Sequence, residues 1–139
     1  MQKIAVFLRL QPDKLYLPLD DDENAPTVQE QLEVEDSILN TVKNLIRLRK
    51  QNPALQAGGD FIPIYAEEKK YPFVYFRSAA KNKVLIAVNP SKKAATASFK
   101  LPTAETFVEL KMVKGIRLRE NKGVFTIKMD GLAYGVFSC

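Results

Sequence analysis

Lys83-Val84-Leu85-Ile86-Ala87-Val88-Asn89 and Val124-Phe125-Thr126-Ile127-Lys128-Met129 are the two runs that decide the fold. In the second, Phe125, Ile127 and Met129 share one face while Thr126 and Lys128 point the other way, the period of two of a half-buried strand. In the first, Val84, Ile86 and Val88 line one face. Working outward, similar runs recur at Phe61–Tyr65, Phe73–Ser78, Thr96–Leu101, Thr106–Met112, Ile116–Glu120 and Tyr134–Ser138. The connections carry turn residues: Lys81-Asn82, Asn89-Pro90-Ser91, Lys114-Gly115, Asn121-Lys122-Gly123 and Asp130-Gly131. Short strands at this spacing predict a mainly β chain, an antiparallel β-sandwich of about seven to eight strands or a barrel-like meander, over residues 60–139. Asn121-Lys122-Gly123, between Leu118 and Phe125, is the strongest hairpin signal.

Upstream of Gly58-Gly59 the period changes. Ile38, Leu39, Val42, Leu45, Ile46 and Arg49 fall at helical spacings, so one amphipathic helix is expected over 36–52. Asp36 or Ser37 can cap it, and Pro53 stops it. Ile38, Val42, Leu45 and Ile46 form its packing stripe, and Leu48 falls off that stripe, which implies contacts on more than one side. Residues 1–35 hold Pro12, Pro18, Pro26 and the acidic run Asp20-Asp21-Asp22-Glu23, and read as an extended lead-in.

The chain of 139 residues carries a net charge of +5, unevenly spread. Residues 1–36 hold nine acids and three bases, a net of −6, and residues 37–139 hold eighteen bases and seven acids, a net of +11. The bases stand singly or in pairs beside turns and along strands, so a solvated face is expected and no nucleic-acid partner. The apolar run Ile4–Leu8 is too short for a signal-peptide core, and no run spans a bilayer, so no membrane partner and a cytoplasmic location are the expectations.

Little in the sequence carries chemistry. There is no histidine, and the one cysteine is Cys139. This removes Ser-His-Asp and Cys-His catalysis and any zinc site built on those ligands. The six glycines never approach phosphate-loop spacing, and no cofactor is expected. Asp20, Asp22 and Asn24 fit the first positions of a calcium loop, but Ala25 and Gln31 stand where glycine and a bidentate glutamate are required. The aromatics Phe73, Tyr75, Phe76, Phe99, Phe107, Phe125, Tyr134 and Phe137 read mainly as core. Tyr65, Tyr71 and Tyr75 are the better candidates for an exposed platform on which a sugar could stack.

Leu15-Tyr16-Leu17-Pro18, Pro26-Thr27-Val28 with Gln31, Asp36-Ser37-Ile38-Leu39-Asn40, and Leu45-Ile46-Arg47-Leu48-Arg49-Lys50 with Pro53-Ala54-Leu55 together resemble the α-amylase family of glycoside hydrolases. The pattern is most similar to the branch of α-glucosidases and trehalose synthases. Tyr71-Pro72-Phe73-Val74-Tyr75, Val84 to Ser91 and Ala133-Tyr134-Gly135 are similar to strands of that family's C-terminal β-domain, while residues 3–10 match nothing there. The resemblance implies the last helix of the β/α barrel, with Asp36 capping it, followed by the C-terminal domain. The family's nucleophile and acid/base segments lie upstream of all these residues, and its active-site histidines have no counterpart. A non-catalytic structural domain of an enzyme acting on α-glucosides such as maltooligosaccharides or trehalose is therefore expected, with no catalytic or metal-binding residue of its own. Its partner would be the catalytic barrel, or a second copy through the helix stripe. The alternatives are a stand-alone α-glucan-binding module and, from the basic charge alone, an oligonucleotide-binding barrel.

Overall fold

The computed structural model describes residues 25–101 and 108–139, with backbone only at 108–111. The calcium-like positions Asp20, Asp22 and Asn24, Phe107, and the start of the Thr106–Met112 run lie outside the described residues. The chain divides between Ile46 and Arg47 into two compact units.

In the first unit, residues 28–33 of the expected extended lead-in form a helix, α1 (Val28–Glu33). The reason is a capping box. Glu30 N–H donates to Thr27 Oγ1 at 3.2 Å, and Thr27 N–H donates to Glu30 Oε2 at 3.0 Å. Two of the orphan donors at a helix start are thereby satisfied at a site without apolar periodicity. The second helix, α2, runs Ile38–Gln51. Ser37 rather than Asp36 caps it, since Ser37 Oγ accepts from Asn40 N–H at 3.2 Å.

Six strands follow among the described residues: β1 (Asp60–Tyr65), β2 (Phe73–Ala79), β3 (Asn82–Asn89), β4 (Ala95–Lys100), β5 (Val108–Asn121) and β6 (Val124–Ser138). All pairings are antiparallel. The eight runs expected from the sequence become six strands among the described residues because 108–112 joins Ile116–Glu120 as β5, and Val124–Met129 joins Tyr134–Ser138 as β6. The turn residues between them, Gly115 and Asp130-Gly131, crease a continuous strand instead of ending it. Ile116 pairs with Met129 and Lys114 with Tyr134, so one residue of β5 stands opposite four of β6. This is a bulge, which bends the ladder sharply.

That crease builds the sandwich. On one side of β6, the half after the crease pairs with β3 and the half before it pairs with β4, while β5 follows β6 on the other side. The sheet doubles back, and Val74, Phe76, Leu85, Ala87, Ala97, Phe99, Phe125, Ile127, Met129, Ala133 and Phe137 meet in one buried cluster between its halves. Leu85 and Ile127 are fully buried, and Phe99 stacks on Phe125 with ring centroids 6.1 Å apart. The hairpin expected at Asn121-Lys122-Gly123 is present. Lys122 (φ 50°) and Gly123 (φ 76°) form a two-residue turn between the paired Asn121 and Val124, as the twist of a β-ribbon requires.

The crease is pinned by Asn89, which is polar and fully buried. Its Nδ2 donates to the carbonyls of Lys93 (2.8 Å) and Asp130 (2.7 Å), and its Oδ1 accepts from Ser91 N–H at 3.2 Å. Leu132 N–H then donates to Ser91 O at 2.8 Å. Gly131 passes so close beneath Lys92 that a Cβ there would collide with the Lys92 carbonyl. Asn89-Pro90-Ser91 is thus a clamp on the crease, and its polar groups are satisfied.

Candidate functional site

The outer face of β2 and β3 carries a second buried cluster: Ala54, Val84, Ile86, Met112 and Val136, with Leu48, Leu55, Tyr75, Val88 and Tyr134 packed against it. The chain arrives here through a short joint. Gln56 Nε2 donates to the carbonyl of Arg49 at 2.7 Å, at the C-terminal end of α2. Asn52 Oδ1 accepts from Ala54 N–H at 3.0 Å and opens a one-turn 3₁₀ helix, Pro53–Leu55. Arg77 on β2 reaches across to donate to Ala54 O (3.3 Å) and Gln56 O (2.7 Å). Ala54 ends fully buried, so within the second unit residues 49–56 form a packed joint against the sheet.

Leu48, the residue off the stripe, packs against this outer cluster. At 3.6 residues per turn it lies about a quarter turn around the helix from the stripe. The stripe itself is exposed: Ile38 by 78%, Ile46 by 50%, Val42 by 46% and Leu45 by 38%.

Within the first unit a polar clasp joins the two helices. Gln31 Oε1 accepts from Leu39 N–H at 3.0 Å, and Ser37 Oγ donates to Gln31 O at 2.6 Å. Asn40 Nδ2 donates to the carbonyls of Gln31, Leu32 and Val34 at 2.9, 3.2 and 2.8 Å. These carbonyls are the orphan acceptors at the end of α1. Gln31, Ser37 and Asn40 belong to the stretches that carry the family resemblance, and their common role is structural.

The structure does not bring Tyr65, Tyr71 and Tyr75 together as one platform. A bulge between Pro63 and Tyr65 shifts the β1–β2 register, so Tyr65 stands opposite Val74 and packs on the inner cluster. Tyr75 lies on the outer face. Burial pushes its hydroxyl pKa up, against the opposing pull of the Arg77 charge. Tyr71 is 47% exposed in the β1–β2 loop. The rings that do meet are Phe61, Phe73 and Tyr75, with centroids 5.0 Å apart for Phe61–Tyr75 and Phe73–Tyr75, and 6.2 Å for Phe61–Phe73. Phe61 escaped the sequence reading because its place at the sheet edge, fixed by pairing with Arg77, is a tertiary property.

Beside these rings, residues Ala66–Tyr71 and Phe73 line an open depression. Lys70 Nζ lies 2.6 Å from Glu67 Oε2. Hydrogen bonds from Lys70 and then from the Tyr65 hydroxyl hold the Glu67 carboxyl below its ordinary pKa. The same bonds raise Tyr65 and Lys70. Among the described residues, no three His, Cys, Asp or Glu side chains gather where they could hold a metal ion, and no helix is long and apolar enough to cross a membrane.

The class defined by these features is an antiparallel β-sandwich entered through an amphipathic helix whose apolar stripe is exposed. No family model matches the sequence, nor does any curated protein. Solved structures do share the fold. The α-glucosyl transfer enzyme XgtA matches 87% of this chain with a TM-score of 0.66 at 24% identity. An isomaltulose synthase mutant of Erwinia rhapontici NX5 matches 88% with a TM-score of 0.67 at 18% identity. An α-amylase from H. orenii matches 84% with a TM-score of 0.65 at 17% identity. The chain spans only 21–23% of the length of these proteins. It has the fold of a domain-sized part of α-amylase-family enzymes.

Proposed function

We propose that this chain is the non-catalytic C-terminal part of an α-amylase-family glycosidase or transglycosidase acting on α-glucosides, with α2 as the last helix of the catalytic barrel. The observation that carries the reading is the division of labour on α2. Leu48 packs against the sandwich's outer cluster, while Ile38, Val42, Leu45 and Ile46 expose an apolar stripe a quarter turn away. Contiguous apolar surface of this kind marks an interaction face. This chain spans only 21% of the similar enzymes, which leaves most of their length to supply a covering body; the resemblance implies that this body is the catalytic barrel. The sandwich would then hold the barrel's last helix in place through the packed joint at Ala54.

The same exposed stripe supports self-association in the absence of a barrel. Sedimentation equilibrium separates the two cases: a dimer that dissociates on Val42→Asp supports pairing through the stripe. The catalytic half of the claim is tested by incubating the pure chain with maltose, trehalose and maltooligosaccharides. Turnover above background overturns it.

A further inference from the structure

Bases that stand apart along the sequence are brought together on one outer face of the sandwich. Strands β5, β6 and β4 lie side by side in that order, and Ile116, Leu118, Phe125, Ile127, Ala97 and Phe99 point from them into the inner cluster. The alternate residues face solvent. One cross-strand row is Arg117, Lys128 and Thr96, and the next is Arg119, Thr126 and Ser98. Lys100 stands in the third row, beside Val124. Ser98 Oγ and Thr126 Oγ1 lie 3.1 Å apart at the centre, with the four cations around them.

Arg117, Arg119, Lys128 and Lys100 are all exposed, and no carboxylate among the described residues pairs with them. Glu120 alternates to the other side, and its Oε1 accepts from Gly123 N–H at 2.6 Å. Asp130 bounds the face at the crease, beside Gly115. Like charges directly opposite each other destabilise a sheet, and Arg117 opposite Lys128 is such a pair. The face thus carries an attraction for anions that no described side chain satisfies.

Its chemistry narrows the partner. Guanidinium and ammonium groups only donate, and the hydroxyls of Thr96, Ser98 and Thr126 can donate as well. Such a face matches a surface made of acceptors, as a phosphodiester backbone is. An acidic peptide also brings backbone N–H donors, for which the cations offer no acceptor. Apart from Val124 nothing apolar projects here, so unpaired bases find no ring to stack on and a bilayer no group to take up. A duplex offers the densest row of phosphates, about one charge per 1.7 Å of its axis.

We propose that the outer face of β4, β5 and β6 binds the phosphate backbone of a nucleic-acid duplex through Arg117, Arg119, Lys128 and Lys100, without reading the bases. The inference rests on this face alone and is independent of the α-glucoside reading.

The full chain is titrated into a fluorescently labelled DNA duplex, with anisotropy as the readout, at about 50 to 200 mM salt. Four phosphate contacts give an expected slope of log K against log salt of about −3.6, a loss of about 100-fold in affinity over that range. Arg117→Gln with Lys128→Gln should bring the slope to about −1.8 and weaken binding at the lowest salt by about tenfold. These two side chains are exposed and repel each other, so the thermal unfolding of this variant should match or exceed that of wild type. Lys50→Gln with Lys81→Gln makes the same change in net charge on the β2–β3 side of the sandwich and should keep the wild-type slope. Absence of binding at the lowest salt overturns the proposal. So does a wild-type slope in Arg117→Gln with Lys128→Gln, or an equal loss in Lys50→Gln with Lys81→Gln. Equally strong binding to phosphatidylserine vesicles at the same salt overturns the assignment to nucleic acid.

Discussion

The two hydrophobic clusters of the sandwich differ in how completely the chain closes them. The inner cluster is sealed by the sheet itself: the creased β5–β6 hairpin folds its two halves together, and Phe99, Phe125 and Ile127 are covered from both sides. The outer cluster is covered in part, by Leu48, Leu55 and the 3₁₀ turn. The ring of Phe61 on the same face stays in contact with water, and in the first unit so does the apolar stripe of α2. The inner cluster is thus closed by the sheet alone, and the outer cluster is closed only in part.

Substitutions can break or sharpen this contrast. The largest effect is expected inside: Leu85→Ala empties a fully buried site and should cost about 2–5 kcal/mol in urea unfolding. Next is the clamp on the crease. Asn89→Ala strands the Lys93 and Asp130 carbonyls and should cost about 1–3 kcal/mol by the same measurement. At the joint, Arg77→Met removes two hydrogen bonds to Ala54 and Gln56, for a loss of about 1.5 kcal/mol. The stripe should respond weakly: Val42→Ser with Ile46→Ser is expected to move the isolated chain by under about 0.5 kcal/mol. A loss of several kcal/mol there would mean that the chain buries the stripe on itself, and the contrast would fail.

The smallest effect is electrostatic. The folded-state pKa of Glu67 is lowered, so its contribution to stability is present above the pKa it has in the unfolded chain and fades as pH falls through the folded value. Glu67→Gln should therefore lower stability slightly at neutral pH and leave it unchanged below the folded-state pKa, which flattens the acid limb of the stability–pH curve. The pair is exposed and screened by salt, so raising ionic strength should shrink the difference.

Much of the sandwich was legible in advance because strand period and turn residues are local properties. Phe125, Ile127 and Met129 alternate as the inner face requires, and Lys122-Gly123 closes the hairpin. Strand number was overcounted because Gly115 and Asp130-Gly131 have the composition of a turn whether the chain reverses or merely bends. The clamp from Asn89 that decides the outcome spans 41 residues to Asp130. α1 was missed because its signal is Thr27 with Glu30, a cap without an apolar period. The placement of the three tyrosines was legible only in part. Tyr71 is exposed as expected, but one bulge in β1 sends Tyr65 to the other face and leaves its place beside Tyr75 to Phe61.

The creased hairpin bears on how such a chain acquires its fold. β5 and β6 are joined by two residues, and their pairing extends through both layers of the sandwich. Contacts close in sequence cost little loop entropy and form early. A single local zippering event can therefore set the register for both layers, with β3 and β4 adding afterwards to strands already in place. Lengthening the Lys122-Gly123 connection should slow refolding more than an equal insertion at Ala80-Lys81, because the β2–β3 hairpin organises one layer only.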